Sequence, residues 1–339
     1  MKIGIPRALL YYYYFPLWKT FYEELGYEII LSPKTNKNIL DLGVKTCVDE
    51  ACLPIKVFHG HVESIKNKVD FLFIPRNTSL NYGEFTCPKL CGLPEMIKNS
   101  IAELPLIIKP DFNLHNRRIN LDKTIRDMIE HLEVDFKHAQ DAYSKGIKRL
   151  EVYRKNLFNG MFPDDALKIT RENFMNVSSY KEKGRLLILS HPYNLYDTFI
   201  NMNLLKKLRE MGYLTITVDN ISEEKINYYA GKLPKKMFWT FGRQLIGSGL
   251  YVIEEKEALG IDGVIFLSSF ACGLDSIIAD YIERHIKRQR ILPFIQLTID
   301  EQTGEAGIDT RIEAFIEMIE RRKANDSNLS SYGECIHRS

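Results

Sequence analysis

The stretch GVIFLSSFACGLDS, residues 263–276, decides the fold. Gly263–Leu267 is an unbroken apolar run, the pattern of a strand covered on both faces. A thiol, Cys272, follows shortly after, and Leu274–Ile286 then carries a helical pattern. Strand, thiol-bearing loop and helix in that order are half of a βαβ unit. In an open parallel sheet, binding sites form beyond the carboxyl ends of the strands, where Cys272 stands.

The same alternation extends in both directions. Lys2–Ile5, Glu28–Leu31, Phe71–Ile74 and Leu106–Ile108 read as strands in the first half, with helical patterns such as Leu17–Leu25 and Val62–Asn67 between them. In the second half, strands at Arg185–Leu189, Leu214–Val218, Gly263–Leu267 and Pro293–Leu297 alternate with helices at Thr198–Met211, Glu223–Ala230, Leu274–Ile286 and Thr310–Arg322. This predicts an α/β protein with two parallel-sheet domains, residues 1–118 and 181–325. A charged helical connector, 119–180, separates them, with Asp122–Lys155 as one long helix or two. Residues 326–339 form a polar tail expected to fray. No internal repeat is strong enough to read from the residues. A cleft between two such halves is a natural site.

Composition narrows the function. Hydrophobic residues make up 45% and charged residues 27% of 339, enough for a sizeable core and against global disorder. The net charge of +2 gives no electrostatic reason to expect nucleic acid or a membrane surface as partner. No stretch reaches the ~18 apolar residues of a span, and the opening MKIGIPRALLYYYYFPLWKT does not read as a signal peptide. The expected location is the cytoplasm. Neither GxxxxGK[ST] nor GxGxxG occurs, so nucleotide hydrolysis by this chain is not expected.

In a reducing compartment, clustered cysteines point to metal or redox chemistry rather than disulfides. Cys47 and Cys52 lie in CVDEACLPIKVFHGH, Cys87 and Cys91 in CPKLCGLP, and Cys272 in SSFACGLDS. Pro54, Pro88, Gly92 and Pro94 mark the first two stretches as loops. Thiolates suit iron–sulfur clusters and zinc. Zinc remains a rival, although neither C-x-x-C nor a paired-histidine motif is present. Cys335, in the polar tail, is expected to stand apart.

Other polar residues fall where a cleft would be lined. Arg7 follows the first strand, and Glu50, His59 and His61 belong to the first cysteine stretch. His191 and Asn194 follow Arg185–Leu189, and Asp300, Glu301 and Glu305 follow Pro293–Leu297. Each also has a plainer reading: Arg7 as a surface ion pair, the histidines as loop residues, the second-half groups as turn and cap residues.

Taken together, GIPRALLYYYYFPLWKTFYEELG, EACLPIKVFHGH, CPKLCGLPEMI, SHPYNLYDTFIN, FACGLDS and TIDEQTGEAGIDTRIEAF span nearly the whole chain. As a set they resemble the acyl-CoA dehydratase activase-related proteins, within the 2-hydroxyacyl-CoA dehydratase D-component and double-cubane-cluster superfamily. The resemblance implies Rossmann-type or flavodoxin-like domains around a [4Fe–4S] cluster held by three cysteines, which fall on Cys52, Cys87 and Cys272 here. It also implies an electron received at low potential from a separate ATP-hydrolysing activase, and a second cluster-bearing subunit or a homodimer. Cys47 and Cys91 leave room for an [8Fe–9S] double-cubane cluster. Whether the chain is an enzyme stays open at this point: a dehydratase or reductase component, a non-catalytic electron carrier or maturation partner, and a zinc-binding structural protein all fit.

Overall fold

The computed structural model describes residues 1–115, 121–169, 182–289 and 292–336; of Gln289 and of 325–336 it describes the backbone alone. The first half runs β1 (Lys2–Ile5), α1 (Tyr11–Glu24), β2 (Glu28–Leu31), α2 (Lys37–Thr46), α3 (Leu53–Ile65), β3 (Phe71–Phe73), β4 (Arg76–Ser79), α4 (Pro88–Cys91), α5 (Leu93–Ser100), β5 (Leu106–Ile108) and β6 (Asp111–Asn113). Three helices follow: α6 (Leu121–Met128), α7 (Phe136–Phe158) and α8 (Pro163–Ala166). The second half runs β7 (Gly184–Leu189), α9 (Pro192–Leu195), α10 (Leu204–Glu210), β8 (Tyr213–Thr217), α11 (Glu223–Ala230), α12 (Thr240–Glu254), α13 (Lys256–Leu259), β9 (Ile261–Ser269), α14 (Gly273–Gln289), β10 (Phe294–Ile299) and α15 (Glu305–Ile336).

Two four-stranded sheets result, with strand orders β2-β1-β3-β5 and β10-β9-β7-β8. Every pairing is parallel. Read from β8, the second order is that of the first: second strand, first, third, fourth. The order reverses direction between β1 and β3 and between β7 and β9, which are the switch points where such sheets bind ligands. A small parallel pair, β4 with β6, stands beside the first sheet.

The strand residues explain how the layers pack. Leu186 and Ile188 of β7 join the cluster that holds Ile3, Ile5, Phe73 and α1. Leu187 and Leu189, one residue out of phase, pack with Val252 of α12 and Ile278 and Ile282 of α14. Successive strand residues point to opposite faces, so both faces of β7 are buried. The larger cluster also takes Ile308, Ile312, Phe315 and Ile319 from one side of α15, at helical spacing.

Three sequence expectations need correction. The first cysteine stretch is not a loop throughout: Leu53–Ile65 is helix, and Pro54 falls in its first turn. The missing N–H of proline costs nothing there, because first-turn N–H groups have no intrahelical partner. The helical pattern at Thr198–Met211 yields a helix only over Leu204–Glu210, behind a left-handed pair at Met202 and Asn203. For Asp122–Lys155, read as one long helix or two, the structure has two, α6 and α7, with the break near His131, where φ is +70°. The closing helix continues through residues read as tail, to Ile336. The side chain of Cys335 lies outside the described residues, as do parts of the connector, 116–120 and 170–181.

Candidate metal centre

Cys52, Cys87 and Cys272 line one cavity of about 110 Å³. Each sits immediately before a helix: Cys52 caps α3, Cys87 caps α4, and Cys272 precedes α14. Proline enters the first turn of both α3 and α4, which sets where those helices begin. Cys272 comes directly off the end of β9, three residues past Ser269. His191 joins the same wall, two residues beyond β7 and in the capping position of α9.

The Cys87 loop is tied to the second half through its backbone. The Phe85 N–H donates to the Phe238 carbonyl (2.8 Å), and the Thr240 N–H donates to the Phe85 carbonyl (2.9 Å). Lys56, buried on α3, meets Glu301 from the loop after β10, with Nζ 2.6 Å from Oε1. These links hold two thiols of the first half against one of the second.

The rest of the cavity wall is mostly apolar or aromatic: Leu9, Phe85, Tyr193, Trp239, Phe241 and Leu274. Lys89 brings a cation to it. Leu9 (φ +52°) and Ala271 (φ +62°), both on the wall, hold the left-handed backbone conformation that side chains other than glycine rarely adopt. Strain of this kind concentrates at functional sites.

Burial governs the thiols. It pushes the Cys272 pKa well up, reinforced by the Asp275 carboxylate, against the Asp275 backbone N–H that favours the thiolate. It also raises Cys52, with Lys89 and the Ile55 backbone N–H pulling the other way. Without a compensating cation, these thiols keep their protons; with a metal they release them.

Behind Cys272, His191 Nε2 stands 2.7 Å from Asp275 Oδ1, with the two side chains 3% and 1% exposed. The approach is close, but the alignment is not that of a hydrogen bond. Both Asp275 oxygens and His191 Nδ1 remain without a hydrogen-bond partner. The imidazole stacks on Tyr193 (centroids 5.1 Å apart) and meets Phe241 edge-on (5.3 Å). Among the described residues, His191, Cys272 and Asp275 alone form a group whose ligand atoms lie within 4.8 Å of one another. Cys52 and Cys87 do not join it.

Of the other sequence candidates, His191 alone lines this cavity. Cys47 ends α2, its thiol also raised by burial, and Cys91 ends α4 with Sγ 3.5 Å from Thr78 Oγ1. Neither reaches the cavity wall. His59 is buried within α3, with Nδ1 2.8 Å from the Ile55 carbonyl. His61 and Arg7 belong to a separate polar chain. The Arg7 backbone N–H donates to Ser32 Oγ (2.8 Å), and Ser32 stands 2.8 Å from His61 Nδ1. His61 Nε2 meets Thr35 Oγ1 at 2.9 Å, and Thr35 donates to Asp197. Asn194 accepts from Ser269 Oγ (2.9 Å) behind the sheet ends. Asp300 closes its own turn with Gln302 and Thr303, Glu305 pairs with Lys207, and Glu50 is exposed.

Sequence reasoning passed over Asp275 although it stands inside FACGLDS, three residues from the thiol and on the first turn of α14. It also passed over Trp239 and Phe241, at the head of α12. Gly242, Gly247 and Gly249 dilute the helical pattern there, yet each packs close to neighbouring side chains or backbone.

Residues 2–221 match the family described as CoA enzyme activase uncharacterised domain. The chain belongs to that family. Residues 198–319 match 2-hydroxyglutaryl-CoA dehydratase, D-component, so the two matches overlap over residues 198–221. Together they make it an activase-related protein of the D-component superfamily, as the motifs suggested. A shorter likeness, 34% identity over 69 residues, links it to the "Putative dehydratase subunit YjiM" of Escherichia coli (strain K12). That stretch is 20% of this chain and 17% of the relative's length. No helix among the described residues is long and apolar enough to cross a membrane.

Proposed function

We propose that this protein holds a [4Fe–4S] cluster on Cys52, Cys87 and Cys272, in a cleft between two α/β domains. We propose further that it accepts a low-potential electron from an ATP-hydrolysing activase of the dehydratase systems. The observation that carries the reading is the meeting of these three thiols, from three distant stretches of chain, on one cavity. One ion with ligand bonds of about 2.0–2.3 Å gathers its donor atoms tightly. A donor set that shares a cavity without forming one tight group suits a centre with several irons, each taking its own thiolate. Cys47 and Cys91 stand off the wall, which favours the single cubane over the double.

When bound, the cluster supplies one-electron chemistry. The chain's own residues set the conditions for it. Phe85, Tyr193, Trp239 and Phe241 limit water, so added negative charge is poorly solvated and the potential is driven down. Lys89 and the N–H groups of Ile55 and Asp275 oppose this by favouring negative charge at the thiol positions.

A second reading has an observation of its own: the tight His191, Cys272 and Asp275 group suits a single ion such as zinc. Anaerobic purification separates the two. The cluster predicts brown protein with about four irons and matching sulfide per chain, reduced faster by activase with ATP than with a non-hydrolysable analogue. About eight irons would move the assignment to the double cubane. Stoichiometric zinc without iron, or equal reduction rates in both nucleotides, would overturn it.

A further inference from the structure

The iron–sulfur reading assigns three thiolates and leaves a buried polar pair, His191 on the cavity wall and Asp275 behind it, without a role. His191 lines the same wall as Cys52, Cys87 and Cys272. Its Nε2 faces the Asp275 carboxylate at 2.7 Å, in a setting almost closed to water. Its Nδ1 is buried and has no hydrogen-bond partner. A buried imidazole nitrogen with nothing to bind costs on the order of 1–3 kcal/mol. Ordinary packing gives no reason to keep it: ring contacts with Tyr193 and Phe241 would serve a phenylalanine equally well.

Metal-bound histidines share a recognisable arrangement. One nitrogen takes the metal while the other donates to a carboxylate, which fixes the ring and raises its donor strength. Asp275, on the first turn of α14 and three residues after Cys272, stands beside Nε2 within reach of the second task, a reorientation of ring or carboxylate short of the hydrogen bond. Strand ends place the rest: His191 follows β7 and Cys272 follows β9, neighbours at the switch point of the second sheet.

Resting on the cluster reading above, we propose that His191 is the fourth protein ligand of the centre, bound through Nδ1 and oriented by Asp275. The functional consequence is specific. A cluster with a protein ligand on every iron offers no open position to a substrate. One electron enters from the reduced activase and one leaves to an acceptor protein, which is reduced by it, and no covalent bond forms or breaks. The chain is then a relay between two proteins rather than the site of dehydration.

The test uses the full chain, purified anaerobically and reduced, with pulsed electron paramagnetic resonance as the readout. Wild-type protein should show a directly coordinated histidine nitrogen whose coupling changes on 15N-histidine labelling. His191→Ala should lose that coupling while keeping cluster iron on its three thiols. His191→Cys, a folding control, should hold about four irons without the nitrogen signal. Asp275→Asn should keep the coupling and raise the reduction potential, because the donor loses a negative partner. Adding a 2-hydroxyacyl-CoA should leave the wild-type spectrum unchanged. Iron-loaded wild type without histidine coupling, coupling that survives in His191→Ala, an unmoved potential in Asp275→Asn or a spectrum perturbed by the thioester would overturn the relay and spare the three-thiol cluster. Wild type without iron would overturn both.

Discussion

The two sheets share one strand order and use it differently. In the second, the groups of interest come directly off strand ends: His191 after β7 and Cys272 after β9, on either side of the switch point. In the first, the strand ends at the switch point carry no thiol. Cys52 arrives only after α2 has intervened, at the head of α3, and Cys87 arrives beyond β4, at the head of α4. A parallel sheet thus fixes where one half's chemistry lies. The other half reaches the same cavity through helices that begin there. The shared device is the capping position before a helix, where the backbone N–H groups of Ile55 and Asp275 favour the anionic sulfur.

The sharpest break of this comparison is by cysteine. If two thiols of the first half and one of the second serve a single centre, Cys52→Ala, Cys87→Ala and Cys272→Ala each lose essentially all cluster iron. Cys47→Ala and Cys91→Ala keep it, because those thiols end helices rather than begin them at the cavity. Iron and sulfide analysis of the anaerobic variants decides the matter. Loss of about half the iron in either of the last two would restore the larger cluster.

How much of this was legible beforehand follows the same division. Lys2–Ile5, Glu28–Leu31 and Leu106–Ile108 coincide with their strands, because apolar runs between turn residues have few other places to go. Cys272 at a strand end followed from GVIFLSSFACGLDS alone. The repeated strand order was hidden, since pairing depends on contacts far apart in sequence. The position of His61 was hidden too. Reading Pro54 as a helix breaker put the histidine in a loop, whereas a first-turn proline starts the helix that buries it.

That buried histidine gives the next test, because its polar chain joins the two halves away from the cavity. Burial, with Arg7 beside it, lowers the His61 pKa from 6.5 to about 3. The chain is consistent with neutral imidazole: Ser32 donates to Nδ1, and Nε2–H donates to Thr35, which donates to Asp197. Below pH about 6.5 the unfolded chain takes up a proton that folded His61 refuses. Stability is therefore complete above that pH and is lost as pH falls toward 3, by up to about 1.4 kcal/mol per unit. Asp197, its pKa raised by burial, acts with the opposite sign, losing stability as pH rises through its own value. His61→Gln isolates the histidine. The stability gap between wild type and variant, from urea melts at pH 7 and pH 5, should shrink at the lower pH. Parallel melts at both values would show that His61 titrates normally and that the halves are not joined through a neutral imidazole.

The smallest effect concerns the two strained positions, which the halves contribute one each: Leu9 and Ala271, both on the cavity wall with positive φ. A left-handed backbone costs a residue with a Cβ about 1–2 kcal/mol. Ala271→Gly removes that cost, but glycine also gains freedom in the unfolded chain worth about 0.5–1 kcal/mol against folding. The two terms partly cancel, so stability should rise by no more than about 1.5 kcal/mol. The cluster is the more telling readout. Ala271 directly precedes Cys272, and a glycine there lets the thiol wander from the position that β9 and α14 impose. If the strain serves to hold the thiol in place, Ala271→Gly should lose iron to a chelator faster than wild type despite equal or greater stability. Leu9→Gly, which also deletes a wall side chain but carries no ligand, should lose stability instead, since a buried leucine disappears. Equal chelation rates in Ala271→Gly and wild type would mean that the left-handed turn is only a by-product of leaving a strand and entering a helix within a few residues.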